Sequence, residues 1–471
     1  MSVLNLAYYP KEKGPYNFDT QLDPNGYLRD PQTRWGGIMR EITTSDFETA
    51  NVGFIEFWLM DPFWMDTVAR PEKGGDLYFN LGEVSEDILK DSKKAFENGL
   101  PTSAEDAAEG KGVTKTIWGN VPTSPSYVPS FNTDPESRQF QDVGLDGIRD
   151  EEEATYFADY LNALPEQARS RYAEDPSNDN FKYFLDGDYN QSETDVLGRY
   201  KNYNGLEGNS AVREQTGDYA AQSNRPDAED INRDNTLNET ETYYSYRVRL
   251  NPEELNVGEN FVVAKIPGDN NVNWYQFRIP VTDFDSKVGN IEDFKSIRFV
   301  RMYLTNFSDS VILRFAELRL IRNEWRKYDF DVSEGGPSVT QQFEPGSFEI
   351  SAVNIEENSD RYVLPPKIDR VIDPSQPQLA QLNEQSMVMK VYNLKDGESR
   401  VAYKNSELDL RQYKKITMWV HAEAIQEQIL DSADLTAFVR IGADYKDNFY
   451  EYEIPLKVSQ TDGIKLNNES E

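Results

Sequence analysis

The stretch NWYQFRIPV, residues 273–281, decides the fold. Tyr275, Phe277, Ile279 and Val281 alternate with Trp274, Gln276 and Arg278, and a period of two is that of a strand with one buried face. A second stretch, NFYEYEIPL at 448–456, matches it position for position: Asn, aromatic, Tyr, Gln or Glu, aromatic, any residue, Ile, Pro, aliphatic. Upstream, IEFW at 55–58 corresponds to ITMW at 416–419, and DLYFNLG at 76–82 corresponds loosely to DLTAFVRIG at 434–442. Two copies of one β unit follow from this repeat.

Working outward, short aromatic and β-branched runs dominate: GFIEFWLM (53–60), DLYFNL (76–81), TYYSYRVRL (242–250), IRFVRMYL (297–304) and VILRFAELRLI (311–321). The class is mainly β. After NWYQFRIPV two further strands precede a closure near Tyr328, whereas only fifteen polar residues follow NFYEYEIPL. The expectation is two tandem jelly-roll or galactose-binding-like β-sandwiches, the second incomplete, in a chain that naturally continues beyond Glu471. Residues 1–27, rich in Pro, Gly, Asn and Asp, read as an extended N-terminal arm. Residues 28–328 read as the first sandwich and 329–471 as the truncated second.

Residues 83–240 carry most of the turn clusters, VPTSPSYVPS and NQSETD among them, and read as a partly helical insertion in the first sandwich. Two helices are predicted within it. SEDILKDSKKAFENG (85–99) has Ser85 and Glu86 at its start and Gly99 at its end, and DEEEATYFADYLNAL (150–164) has acidic residues in its first turn.

Forty-nine basic against 83 acidic residues give a net charge of −34, which would repel a phosphate backbone and argues against nucleic acid as a partner. The same charge suits an envelope or secreted protein and supplies oxygen ligands for hard cations. With no cysteine, thiolate metal sites and thiol nucleophiles are excluded. No run approaches eighteen apolar residues, so no direct membrane span is expected in this stretch.

The chemistry-bearing motif is DINRDNTLNETE, 230–241. An EF-hand-type loop takes oxygen donors at positions 1, 3 and 5, a carbonyl at 7, a tight turn at 6, an aliphatic residue at 8 and a bidentate Glu at 12. Those positions hold Asp230, Asn232, Asp234, Thr236, Asn235, Leu237 and Glu241. Asn235 stands for the usual Gly and tolerates left-handed backbone. The loop reads as a calcium site or, failing that, as an acidic turn whose Asx side chains bond their own backbone. A strand follows and a Pro-broken RPDAED precedes, so no helix pair exists to open. The expectation is a structural calcium ion, not a sensor.

DVGLDGIRDEEE, 142–153, is the second candidate, with Asp142, Asp146, Gly147 at the turn and Glu153 at position 12. Gly144 and Arg149 break its pattern, and an acidic cap on the following helix is the competing reading. No carboxylate pair is singled out by spacing, no phosphate or dinucleotide fingerprint is present, and the single histidine, His421, reads as a strand-end side chain. Trp58, Trp64, Trp274 and Trp419 suit sugar stacking, but three lie in strand runs where core packing is the more common role.

The segments LNLAYYPKEKGPYNFD, RWGGIMREI, FWLMDPFW, QDVGLDG, EDINRDNTLNE and IRFVRMYLTNFSDSVILRFAELRLIRNEWR resemble the SprA/Sov family of Bacteroidetes, along most of the chain. The resemblance implies very large outer-membrane proteins of gliding motility and type IX secretion, in which a giant β-barrel conducts folded cargo. This chain would then be a non-enzymatic soluble region of such a translocon, on the cell-surface or periplasmic face. Its partners would be the rest of the parent barrel, other secretion-system proteins and transported cargo. A carbohydrate-binding or adhesive cell-surface module is the alternative.

Overall fold

The computed structural model describes residues 3–64, 74–124, 128–204, 225–268 and 272–322 of a first compact unit, Met1–Arg322. It describes residues 325–328, 332, 347–355, 362, 364–365, 370, 384–404, 410–424, 434–444 and 447–459 of a second, Asn323–Glu471.

In the first unit the strands are β1 (Val3–Tyr8), β2 (Trp35–Glu41), β3 (Val52–Met60), β4 (Gly75–Glu83), β5 (Val113–Lys115), β6 (Asn120–Pro122), β7 (Thr242–Leu250), β8 (Val262–Pro267), β9 (Asn273–Pro280), β10 (Ser286–Val288), β11 (Phe299–Thr305) and β12 (Val311–Arg322). Ten of them build two five-stranded antiparallel sheets, ordered β1-β12-β3-β9-β8 and β10-β7-β4-β11-β2. The two pack as a β-sandwich.

The alternation read from NWYQFRIPV is the packing. Tyr275, Phe277, Ile279 and Val281 are buried, while Trp274 and Gln276 are half-buried and Arg278 is exposed. In register, Phe277 faces Phe57 of β3, and the rings stack at 4.9 Å; Phe57 also meets Phe79 of the opposite sheet at 5.5 Å and Phe315 of β12 at 5.4 Å. One aromatic knot thus joins both sheets, with Leu77, Leu81, Tyr246, Val248 and Leu313 filling the same core. Trp58 and Trp274 point the other way along their strands, half-buried, and Trp64 and Trp419 are exposed, so none belongs to the core that strand packing predicts.

Residues 3–8, within the segment expected as an arm, form the edge strand β1, paired from Val3↔Ala316 to Tyr8↔Val311. β12 bends at a bulge between Ala316 and Arg319, where Glu317 takes φ 54.

The insertion connects two neighbouring strands of one sheet: β4 and β7 end on the rung Glu83↔Thr242. Its helices are α1 (Ala104–Glu109), α2 (Arg138–Gln141), α3 (Asp150–Tyr156), α4 (Ala158–Ala163), α5 (Glu166–Tyr172), α6 (Gly187–Gln191) and α7 (Val196–Lys201). α3 and α4 occupy the helix predicted over 150–164. The helix predicted over 85–99 does not form. Lys90 and Ser92 take φ 55 and 56, and the amides are drawn to side-chain acceptors, Asp91 and Ser92 to Asp87 and Leu89 and Ala95 to Glu229. Carboxylates competing for backbone N–H groups override the helical pattern.

The second unit contains β13 (Arg326–Tyr328), β14 (Phe348–Asn354), β15 (Gln385–Val391), β16 (Val401–Tyr403), β17 (Ala422–Glu423), β18 (Thr436–Gly442), β19 (Phe449–Pro455) and β20 (Val458–Ser459). They pair two by two, β13 with β16, β14 with β15, β17 with β20 and β18 with β19. NFYEYEIPL does form a strand, β19, as NWYQFRIPV forms β9.

Its partner corrects the alignment. DLTAFVRIG becomes β18, hairpinned to β19 through Gly442↔Phe449, as β8 is hairpinned to β9 through Pro267↔Asn273. The counterpart of DLTAFVRIG is therefore β8, not the DLYFNLG of β4, which pairs with β7 and β11. ITMW, expected to match β3, forms no strand and is exposed, and His421 directly precedes β17. Residues 460–471 of the expected polar tail lie outside the described residues.

Candidate metal centre

Buried carboxylates organise the insertion. Glu86 accepts from the amides of Ile231 at 2.8 Å, Asn232 at 3.3 Å and Asn238 at 3.2 Å. Glu97 accepts from Gly144 at 2.9 Å and Asp227 at 2.6 Å, and Glu229 from Leu89 at 2.9 Å and Ala95 at 2.8 Å. Each glutamate pairs buried or half-buried N–H groups of a chain with few regular ladders. Burial pushes the carboxyls of Glu86 and Glu97 up, and that of Glu229 to about 7, against the pull of these amides.

A second kind of cluster lies deeper. Asp146, at 0% exposure, follows the left-handed Gly144; Glu153, also at 0%, lies in the first turns of α3; Asp179, at 2%, ends the turn Asp175-Pro176-Ser177-Asn178. One carboxylate oxygen from each lies within 4.8 Å of the others. Asp146 Oδ1 accepts from the Ile148 amide, Glu153 Oε2 from the Ser177 amide, and Asp179 Oδ1 from the Ser177 hydroxyl. Asp146 Oδ2 and Glu153 Oε1 have no hydrogen-bond partner. Burial, and after it the charge of Asp179, raise Asp146 and Glu153 far above the usual carboxylate range, and Asp179 rises with them, again chiefly through burial.

The N-terminal segment closes over this trio. The Tyr16 hydroxyl accepts from the Leu145 amide at 2.9 Å, the Tyr16 amide donates to Ser177 O at 2.7 Å, and Asn178 Nδ2 donates to Lys13 O at 3.0 Å. Lys13, buried, donates its ammonium to Pro176 O and sits over the Tyr172 ring at 4.7 Å. Burial lowers its pKa to about 8 against the attraction of Asp175, Glu153 and Asp179.

Of the second candidate loop, the structure brings Asp146 and Glu153 together and sets Asp142 apart, bonded to Arg138 at 2.8 Å with its Oδ1 buried and unbonded. Gly147 takes φ +63, as its turn position requires. Asp179 is the member that spacing missed. EDPSNDN reads as an ordinary Asx-rich turn, and Asp175 indeed accepts from the Asp179 amide, so nothing local links it to a loop so distant in sequence.

In the first loop, Asp230 Oδ1 accepts from the Asp234 amide at 3.1 Å and Oδ2 from the Asn235 amide at 2.9 Å, with Lys94 at 3.4 Å. Asn232 Oδ1 accepts from Asp234, Asp234 Oδ1 from Thr236, and Asn235 takes φ 69, the left-handed turn expected at position 6. Asp234 also meets Arg298 at 2.9 Å. Glu241 is held by both Arg301 nitrogens, at 2.9 and 3.0 Å. The loop is thus closed by Asx turns, with its twelfth residue on a guanidinium.

These features define a class: a β-sandwich whose long insertion is braced by buried carboxylates beside small hydrophobic clusters such as Leu161, Leu164, Ala168 and Tyr172. The family model SprA_N, described as motility related/secretion protein, matches residues 155–470, from α3 through the closing strands of the sandwich and the second unit, and the chain belongs to that family. Among curated proteins no match is found. Among the described residues no helix is long and apolar enough to cross a membrane.

Proposed function

We propose that this chain is a non-enzymatic region of an outer-membrane translocon of type IX secretion and gliding motility, acting through shape and contact. The observation that carries the reading is the match of a motility and secretion family across residues 155–470. The sandwich offers a rigid platform, and the insertion, leaving and re-entering on one rung, offers a broad polar surface for docking secretion partners or cargo. The Asp230–Glu241 loop is proposed as a structural calcium site that steadies the return of the insertion to β7. Deleting residues 28–328 from the parent gene should block export of cargo or remove partners that co-purify with the wild type. Undiminished secretion with unchanged partners would overturn the reading.

One observation favours the adhesive alternative. On the outer face of the second sheet, Tyr78 and Tyr303 stack at 4.8 Å and 4°, and Trp35, 64% exposed, meets Tyr303 edge-on at 6.2 Å. Such a ladder suits the apolar faces of sugar rings. Glycan-array binding that disappears in Trp35→Ala would favour this role over the translocon one.

A further inference from the structure

We propose that Asp146, Glu153 and Asp179 hold a hard divalent cation, calcium foremost, beneath the seam where residues 13–16 close over the insertion. The proposal is independent of the secretion reading. Three carboxylates gathered within 4.8 Å in the interior repel one another and have lost their water, an arrangement that is costly without a counter-charge. Lys13 supplies one positive charge, but its ammonium is spent on Pro176 O.

The orphaned oxygens give the direction. Asp146 Oδ2 and Glu153 Oε1 are fully buried and accept nothing, while the other oxygen of each is anchored to an amide that fixes its carboxylate plane. A carboxylate with one oxygen anchored and the other unbonded is oriented and still has an oxygen to offer a ligand. The backbone makes room as well. Gly144, at φ +88, lies so close to Asp179 that any Cβ there would overlap Asp179 Oδ2. An all-oxygen donor set with neither sulfur nor imidazole selects calcium or magnesium over zinc or copper.

A cation here would tie three segments that sequence keeps far apart: the 142–153 loop, the turn at 175–179 and, through Tyr16, Lys13 and Asn178, the N-terminal segment. The test uses the full chain, stripped with EDTA and melted with and without calcium chloride, with magnesium chloride in parallel. Wild type and Asp230→Asn should both be stabilised by calcium. Added to Asp230→Asn, which takes the loop out of the measurement, Asp179→Asn should lose that shift, and in EDTA the double variant should melt higher than Asp230→Asn alone because one buried charge is gone. No shift with either cation overturns the site. So does a shift that persists in Asp179→Asn and vanishes in Asp230→Asn. If Asp179→Asn does not fold, Glu153→Gln takes the same readout. Terbium titrated into the Asp230→Asn protein should also give calcium-displaceable luminescence sensitised by Tyr16, and its absence would count against the site.

Discussion

Gly144 and the carboxylate of Asp179 are in such close apposition that a Cβ at residue 144 would force Asp179 to shift. The backbone at φ +88 and the neighbour in space independently favour glycine.

Gly144→Ala should therefore be far worse than an ordinary glycine substitution. Gly110, the left-handed residue ending α1 at φ +63, provides the control, since a Cβ there meets nothing within 4 Å. Gly110→Ala should cost only the left-handed strain of about 1–2 kcal/mol. Gly144→Ala should add an overpacking penalty of about 1–3 kcal/mol. Chemical denaturation of the two variants measures the difference; equal losses would mean that Asp179 yields without cost.

The stacked rings of Phe57 and Phe277 sit where both sheets meet. Phe57→Ala should destabilise the first unit by about 3–5 kcal/mol, because the ring touches Phe79 and Phe315 as well and the cavity cannot collapse from one side alone. Trp58→Ala, one residue along on the outer face, should cost much less. Thermal melts of both variants check the alternation directly.

That alternation is what the sequence made legible. Tyr275, Phe277 and Ile279 declared their buried face because a strand's period is local, and the acidic first turn of α3 is local too. What was not legible depends on distant partners. SEDILKDSKKAFENG carries helical signals, yet Glu229 and Asp87 capture the amides of Leu89, Ala95, Asp91 and Ser92. DLTAFVRIG resembles DLYFNLG because strands share a composition, and only the ladder with β19 shows its place. For the site, spacing found Asp146 and Glu153 through a calcium-loop pattern, but Asp179 arrives from another turn and leaves no local trace.

Glu97 should make stability fall as pH rises. Burial first, then repulsion from Asp227 and Asp142, raise its folded pKa well above the ordinary value of 4.5. A group whose folded pKa is raised contributes fully below its unfolded pKa, and that contribution is lost as pH climbs through the folded one. Stability measured upward from about pH 4.5 should decline more steeply in wild type than in Glu97→Gln. The variant loses one acceptor for the Gly144 or Asp227 amide, a pH-independent offset, so the difference in slope isolates the carboxyl. Parallel profiles would show that Glu97 stays ionised when folded.

The Asp230 loop turns on Arg301. For Glu241 to serve as the bidentate twelfth ligand, its two oxygens must leave the guanidinium nitrogens that hold them at 2.9 and 3.0 Å. Arg301 and calcium would then compete for one carboxylate. Arg301→Ala should lower stability without metal, by up to about 1 kcal/mol for a pair of which Glu241 is partly exposed. The same substitution should tighten calcium binding, since the ion no longer displaces a guanidinium. Calcium titration of Arg301→Ala in an Asp179→Asn background, which removes the buried trio from the measurement, should show higher affinity than Asp179→Asn alone. Unchanged affinity would mean that Glu241 is not a ligand and that the Asx turns of Asp230, Asn232 and Asp234 hold the loop by themselves.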